Sequence, residues 1–140
     1  MGTDARSQTT KGVWPERMLS LLRIIAALGF LQHGTAKFFG FPTMPFAGAL
    51  PPIVVAGGWL ELVGGMLLLL GAFTRPVAFI LSGEMAVAYF LFHAPHGFFP
   101  ATNGGEAAML YCFVFLYLAF AGGGSWRLDA LWNVRKSKLD

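Results

Sequence analysis

Four long apolar stretches, separated by short segments rich in proline, glycine and charge, dominate the pattern of the 140-residue chain. They cover residues 19–39, 53–73, 76–92 and 106–122. As helices with a rise of about 1.5 Å per residue, stretches of this length match a hydrocarbon core of about 30 Å. The pattern therefore predicts four membrane-spanning helices. Because they account for most of the chain, we expect one helical domain over residues 18–124.

Proline marks the connections between the apolar stretches. Pro51 and Pro52 precede the second stretch, Pro76 begins the third, and Pro95 and Pro100 lie between the third and the fourth. Proline interrupts a helix but is tolerated in its first turn, so these positions indicate helix boundaries. Short connections place successive helices antiparallel. The predicted fold class is all-α, an integral membrane four-helix up-down bundle.

The composition supports a membrane protein and the charge distribution orients it. Hydrophobic residues make up 56% of the chain, charged residues only 12%, and the mean hydropathy is +0.61. The net charge of +3 is spread over the two ends and the turn at Arg75, whereas the loops 40–52 and 93–105 contain no Lys or Arg. By the positive-inside rule both termini and the Arg75 turn are cytoplasmic. We therefore expect a multi-pass protein of the inner (cytoplasmic) membrane. Its expected partner is the lipid bilayer, and we expect it not to bind nucleic acid.

The two ends of the chain differ from the apolar domain. Residues 1–17 are mostly polar and are expected to form a disordered or interfacial tail. In residues 125–140, Trp126, Leu128, Leu131 and Trp132 alternate with charged residues. This pattern is typical of a short helix in the membrane interface, followed by a basic tail on the cytoplasmic side.

Six ionisable residues lie within or at the edge of the apolar stretches: Arg23, His33, Lys37, Glu61, Glu84 and Glu106. A charged side chain in the hydrocarbon core costs roughly 2.5–3.5 kcal/mol on insertion scales, so each one needs a partner, a proton or a function. Glycines recur around Glu61 in the second stretch, at Gly57, Gly58, Gly64, Gly65 and Gly71. Such a stripe favours close helix packing, and it predicts that Glu61 faces protein.

Counting residues from the membrane edges pairs these groups in three layers. Arg23 and Glu84 fall in the cytoplasmic half and are interpreted as a structural ion pair. His33 falls near Glu61 in the outer half, and Lys37 near Glu106 at the outer rim. The pairs either neutralise one another to fix helix register or line a cavity that carries protons or binds a polar head group. His93 and His96 in the second outer loop are secondary candidates for that outer cluster.

The histidine pattern bears on whether the chain could hold a haem or a metal ion. His33 and His93 are the histidines that two facing helices could offer to a haem. The sequence has no Glu-x-x-His motif, no Cys-x-x-Cys-His motif and no pair of histidines on one helix. A lone histidine near a helix end more often forms hydrogen bonds, so we expect no metal site.

Four short motifs follow one another between residues 18 and 132: His33-Gly34-x-x-Lys37-Phe38-x-Gly40, Gly58-x-x-Glu61-x-x-Gly64-Gly65, Asn103-Gly104-Gly105-Glu106 and Gly122-Gly123-Gly124-Ser125-x-x-Leu128-Asp129. In combination they resemble the DoxX family of small four-helix membrane proteins. The resemblance places the family's recurrent polar positions at His33, Lys37, Glu61, Asn103 and Glu106. It implies a link to membrane oxidoreductases, since the family takes its name from the membrane component of a thiosulfate:quinone oxidoreductase.

The resulting functional hypothesis is a redox-associated membrane subunit that binds a quinone or a similar lipid-soluble molecule. His33 or Lys37 would hydrogen-bond a carbonyl and Glu61 would relay a proton, while six aromatic residues are available for stacking on a ring: Phe38, Phe39, Phe41, Trp59, Phe98 and Phe99. The chain has no dinucleotide fingerprint, phosphate loop or nucleophile constellation, which argues against a self-contained enzyme. Redox chemistry would then require a membrane or periplasmic partner protein, and a homo-oligomer is compatible with the sequence.

Two alternatives come from other functional classes. The protein could be a non-enzymatic scaffold, assembly factor or chaperone whose polar interior is structural and whose surface binds a partner complex. It could also provide a narrow pathway for a small solute or protons.

Overall fold

The computed structural model describes residues 5–44 and 49–130, with side chains from residue 12 onward, and every regular element in these ranges is helical. The helices are α1 (Ala5–Phe39), α2 (Pro52–Leu70), α3 (Thr74–Ala88), α4 (Pro100–Asn103) and α5 (Glu106–Ala121). A wide helical turn over Tyr89–His93 and a tight turn over Ala94–His96 continue α3. The predicted all-α fold is confirmed.

Three helical segments in the described ranges are long and apolar enough to cross a membrane. They are Gly12–Phe39, Pro52–Leu70 and Thr74–His96, while α5 is an apolar helix of sixteen residues and falls short of that length. The chain is therefore a membrane helical bundle. A fourth crossing by α5 and the cytoplasmic position of the termini stay predictions.

Helix α1 begins fourteen residues before the predicted first span and includes most of the segment 1–17 assigned to a tail. The division into tail, bundle and C-terminal interfacial helix stays a prediction, and residues 131–140 of that last segment lie outside the described residues.

The bundle consists of two helix pairs. Helix α1 packs mainly on α2, α3 packs mainly on α5, and the pairs meet chiefly where α2 contacts α3. Fully buried apolar side chains fill the core between them: Phe30, Leu68, Leu81, Phe115 and Leu118. The rings of Phe30 and Phe115 meet edge to face with centroids 4.9 Å apart. These side chains therefore join the two helix pairs at one level along the bundle. Farther along the bundle, the space between the helix pairs is not filled by the core.

The glycine stripe of α2 forms the contacts on both of its sides. A Cβ at Gly58 would lie 2.8 Å from Phe38, and one at Gly65 would lie 2.9 Å from Leu31, both on α1. On the other side, a Cβ at Gly64 would lie 2.7 Å from Leu81 of α3. Since no side chain fits at these positions, glycine is what lets α2 approach both neighbours.

Arg23 is buried at the end of the bundle where a short turn connects α2 to α3. Its side chain is fully buried and its guanidinium donates to four backbone carbonyls, those of Leu68, Leu69, Gly123 and Trp126. The carbonyls of Leu68 and Leu69 belong to the last turn of α2, where the helix dipole favours a cation. Arg23 therefore connects α1, α2 and the segment after α5.

The predicted ion pair between Arg23 and Glu84 was wrong. Arg23 lies at the level of Gly123, whose backbone also faces Thr74 at the start of α3. Glu84 comes ten residues later in α3, which places it about 15 Å farther along the helix. Residue counting matched Arg23 with a charged side chain, but buried arginine can equally satisfy its donors on backbone carbonyls.

Asp129 lies at the same end of the bundle as Arg23 and binds the backbone at the start of α3. Its carboxylate accepts hydrogen bonds from the N–H groups of Phe73 (2.8 Å) and Thr74 (3.3 Å), and its own N–H donates to the carbonyl of Gly71 (3.2 Å). These groups at the start of α3 have no partner within the helix, and an anion there is favoured by the helix dipole. The motif that ends at Asp129 thus has a structural role in the fold.

Candidate functional site

A cavity of about 730 Å³ lies between the two helix pairs, on the far side of the core from Arg23. Its walls come from α1, α2, α3 and α5, and six polar or ionisable side chains line it: His33, Lys37, Glu61, Glu84, His93 and Tyr111. Most other lining residues are apolar. A mainly apolar cavity of this size with a few convergent polar groups suits an organic ligand.

Lys37 and Glu61 form an ion pair inside this cavity. The Lys37 Nζ lies 2.6 Å from Glu61 Oε1, and the Glu61 side chain is only 5% exposed. A helical side chain leans toward the N-terminus of its helix, so the ammonium of Lys37 lies below its own Cα, at the depth of Glu61. This tilt explains why Lys37 takes the partner that residue counting assigned to His33.

Glu106 does not join the cavity. It stands in the first turn of α5, is exposed and does not line the cavity wall. Because its side chain also leans toward the N-terminus of its helix, it points away from the bundle interior. The predicted pairing of Lys37 with Glu106 was therefore wrong.

Glu84 belongs to the cavity instead. Its Oε1 faces Gly57 of α2, where a Cβ would lie only 3.1 Å away, and its Oε2 is buried. Glu61 lies ten residues before Gly71 and Glu84 ten residues after Thr74, on antiparallel helices joined by a short turn. The two carboxylates therefore share one depth, about 15 Å from that turn. Counting from the turn would have revealed this from the sequence.

Two carboxylate oxygens in the cavity are buried without a hydrogen-bond partner among the described residues. They are Glu61 Oε2 and Glu84 Oε2. A buried polar atom without a partner costs free energy, and a native structure keeps such an atom only for a reason such as a proton, a water molecule or a ligand. Among the described residues, the protein alone thus supplies no hydrogen-bond partner for these two oxygens at the polar end of the cavity.

The histidines and Tyr111 form the rest of the polar lining. The ring of His33 meets Tyr111 edge to face with centroids 6.3 Å apart. His93 stacks on Tyr89, and its Nδ1 lies 3.3 Å from the carbonyl oxygen of Asn103, to which it can donate. Tyr111 was missed because an aromatic residue in an apolar helix gives no signal of function. No metal-binding cluster of three or more His, Cys, Asp or Glu occurs in the described part of the chain.

Asn103 and His96 lie near the cavity without lining it. The buried Asn103 amide donates to the carbonyl of Gly97 and accepts from the N–H of Gly105, both at 2.8 Å, so it holds the loop before α5. His96 is exposed and its Nδ1 lies 2.9 Å from the carbonyl oxygen of Phe92 in the preceding turn. The geometry gives both residues structural contacts.

The aromatic residues expected to stack on a ligand lie elsewhere. Five of the six are more than half exposed on the surface of the bundle: Phe39, Phe41, Trp59, Phe98 and Phe99. The aromatic side chains that line the cavity are Phe30, Phe92 and Tyr111. The predicted aromatic residues lie near the predicted outer loops, and although the cavity reaches the first of these loops at Met44 and residues 49–51, other aromatic side chains line it.

The cavity reaches the surface of the bundle beside α2 and α3, and it also extends to the segment between α1 and α2 at Met44 and residues 49–51. Ile53 and Leu60 of α2 and Ile80 and Val87 of α3 line it and are also 41–54% exposed on the surface of the bundle. In a membrane these surfaces face lipid. A molecule dissolved in the bilayer could therefore reach Glu84 without crossing water.

Comparison with known proteins places the chain in a family. Residues 18–94 match the DoxX family model. The chain belongs to the DoxX family. The matched DoxX region contains His33, Lys37, Glu61, Glu84 and His93, all of which line the cavity, and it ends before Asn103 and Glu106.

Two similar proteins come from Haemophilus influenzae, and both are described as uncharacterized proteins. One is 50% identical over 117 residues, which cover 79% of this chain and 87% of that protein. The other is 29% identical over 133 residues, which cover 86% of this chain and 87% of that protein. No solved structure matches the chain.

Proposed function

We propose that this DoxX protein binds a quinone-like lipid-soluble molecule in the cavity and serves as the membrane subunit of a redox complex. The observation that carries the proposal is the pair of unpartnered carboxylate oxygens at the polar end of an apolar cavity that opens toward lipid. A quinone has the matching shape, with an apolar tail for the opening and a planar head whose oxygens accept hydrogen bonds from Lys37, His33 or a protonated glutamate. The names of the relatives add nothing to this assignment.

The cavity residues then divide into two roles. Phe30, Phe92 and Tyr111 provide apolar and aromatic surface for the ring. Lys37 and His33 supply N–H donors for an oxygen of the head group, and Glu84, which has no cation within ion-pair distance among the described residues, would hold its proton and donate to the other oxygen. Electrons would come from or go to a partner redox protein, because the ligand alone has no source of them.

The proposal includes an orientation. Helix α5 packs along α3 and is antiparallel to it, so we assign it as the fourth crossing, with both termini cytoplasmic and the Arg23 end on that side. The protein would then lie in the inner membrane, with the loops 40–52 and 93–105 outside. The absence of Lys and Arg from these loops supports this assignment.

The packing favours ligand binding over a proton or solute pathway. Between the carboxylates and Arg23 the bundle is filled by the fully buried side chains of Phe30, Leu81, Phe115 and Leu118. Ser82 also lies in this region, and its hydroxyl donates to the carbonyl of Cys112 (2.8 Å). The cavity therefore ends on a closely packed, mainly apolar core.

Equilibrium binding of decylubiquinone to the purified protein in lipid nanodiscs tests the proposal. We expect saturable binding that Glu84→Leu weakens by roughly threefold to tenfold, since leucine removes the side-chain hydrogen bond to a quinone oxygen and such a bond contributes about 0.5–1.5 kcal/mol. Glu106→Leu is the matched control, because it is the same substitution on an exposed carboxylate outside the cavity, and it should leave binding unchanged. Equal effects of the two substitutions, or no saturable binding, would contradict the proposal.

A further inference from the structure

Two arginine side chains converge at the end of the bundle opposite the cavity. A Cβ placed on Gly122, which directly follows α5, would lie 3.6 Å from Nε of Arg75 and 3.8 Å from Nη1 of Arg127. These two nitrogens are therefore no farther apart than the sum of the two distances. That separation is shorter than the Debye length of about 8 Å at physiological salt, so the two positive charges repel each other. An anion between them would relieve this repulsion.

The described residues supply no carboxylate partner to either arginine. The ion pair that they do form, between Lys37 and Glu61, lies in the cavity. Asp129 is at the same end of the bundle as the two arginines, but its carboxylate oxygens accept hydrogen bonds from the N–H groups of Phe73 and Thr74. The positive charge of the arginine pair is thus left without a compensating anion in this part of the chain.

The fold fixes one arginine of the pair and exposes the other. The half-buried Arg127 donates from Nη1 to the carbonyl of Gly124 (3.0 Å), and its Cα packs so closely on the turn between α2 and α3 that a Cβ at Gly71 would lie 2.7 Å away. Arg75 is exposed in the first turn of α3, and its guanidinium forms no hydrogen bond with the described residues. The pair therefore offers free N–H donors to a ligand.

The arginine pair lies where the bundle meets the membrane surface. The helical segments Pro52–Leu70 and Thr74–His96 are both long enough to cross a membrane, so the turn that joins them, next to Arg75, is at one face of the bilayer. Phe79, one turn after Arg75 on the same side of α3, is 62% exposed toward the surrounding lipid. A molecule whose anionic group binds Arg75 can thus lay an apolar chain along Phe79.

We propose that Arg75 and Arg127 bind the phosphate group of an anionic phospholipid, with its acyl chains along α3 at Phe79. A guanidinium presents a planar set of N–H donors that matches two phosphate oxygens, and basic pockets between membrane helices are suited to anionic head groups. The site is at the opposite end of the bundle from the cavity, so it does not depend on the proposed function.

Native mass spectrometry of the purified protein in detergent micelles, titrated with dioleoylphosphatidylglycerol or dioleoylphosphatidylcholine, tests this site. The two lipids share acyl chains and phosphate, but choline cancels the negative charge of the second. We expect the first phosphatidylglycerol to bind about tenfold more tightly than phosphatidylcholine, and Arg75→Gln to lower that preference about fivefold, the factor that one arginine near a membrane surface contributes. Because Arg75 is exposed, this substitution should leave the fold intact.

Arg17→Gln is the matched control, since Arg17 is an exposed arginine of α1 at the same end of the bundle, and it should keep the preference. Equal losses in the Arg75 and Arg17 variants would overturn the site, because they would show a general attraction between a positive surface and anionic lipid. Equal binding of the two lipids to wild-type protein would also overturn it.

Inorganic phosphate, added to the protein without phospholipid, separates a lipid head group from a free anion of the same chemistry. We expect it to bind far more weakly than phosphatidylglycerol, because it has no acyl chain to lie along Phe79. Inorganic phosphate that binds as tightly as the lipid, and loses binding in Arg75→Gln, would overturn the assignment of a phospholipid.

Discussion

Replacing Lys37 by methionine should lower the free energy of unfolding by about 3–5 kcal/mol, the range found when one partner of a buried ion pair is removed. Glu61 is almost fully buried, and in the described structure Lys37 is the cation within its reach, with Nζ 2.6 Å from Oε1. Without the ammonium, the carboxylate would be left in the membrane interior with no compensating charge. Thermal or denaturant unfolding in detergent micelles, followed by circular dichroism, measures the effect.

The double variant Lys37→Met with Glu61→Gln is the control for this prediction. It removes both charges, so it should recover most of the stability that Lys37→Met loses. A double variant no more stable than the single one would show that Lys37 acts through packing of its side chain. If the single variant lost less than about 1 kcal/mol of unfolding free energy, the ion pair would behave as a solvent-exposed one. That result would contradict its burial in the structure.

Replacing Arg23 by methionine should have the second large effect. The substitution removes a donor from four backbone carbonyls, of which that of Leu68 keeps the N–H of Gly71. Each buried group left without a partner costs about 1–3 kcal/mol, so we expect a loss of several kcal/mol and a poor yield of folded protein. The same unfolding measurement, together with the yield of monodisperse protein in detergent, tests the expectation.

Arg17→Met is the matched control for Arg23. Arg17 is an exposed residue of the same helix, with its guanidinium 5.5 Å from the centre of the Trp14 ring, and its loss should cost no more than about 1 kcal/mol. Arg23→Lys should be intermediate, because a single ammonium cannot reach carbonyls on three sides as a planar guanidinium does. Equal stability of the Arg23 and Arg17 variants would contradict the role of Arg23 in closing the bundle.

The elements of this fold could be predicted from the sequence because apolar length and proline position depend on local pattern alone. Helices α2 and α3 begin within two residues of the predicted spans, and α5 within one residue of its span at both ends. The burial cost of a charge in hydrocarbon also indicated His33, Lys37 and Glu61 as residues of interest, and all three line the cavity.

The partners of these residues could not be predicted in the same way. Residue counting gives the depth of a Cα atom, whereas the tilt of a helical side chain moves the ammonium of Lys37 down to Glu61. Arg23 bonds to backbone carbonyls, which every residue has and no sequence pattern displays. The cavity itself results from how two helix pairs pack, and this is why Tyr111 was overlooked, whereas Glu84 was assigned to structure because its depth was counted from the membrane edge and not from the turn between α2 and α3.

Photolabelling tests the central claim most directly, namely that the cavity binds a lipid-soluble molecule with its head at Glu61 and Glu84. Wild-type protein in nanodiscs would be labelled with a photoreactive azidoquinone and mapped by mass spectrometry, with and without excess decylubiquinone. We predict labels in residues 53–61 of α2 and 80–93 of α3 and at Tyr111, and these should disappear with the competitor. Labels spread over the lipid-facing side chains of α5, such as Phe113 and Phe120, and unaffected by the competitor would contradict the account.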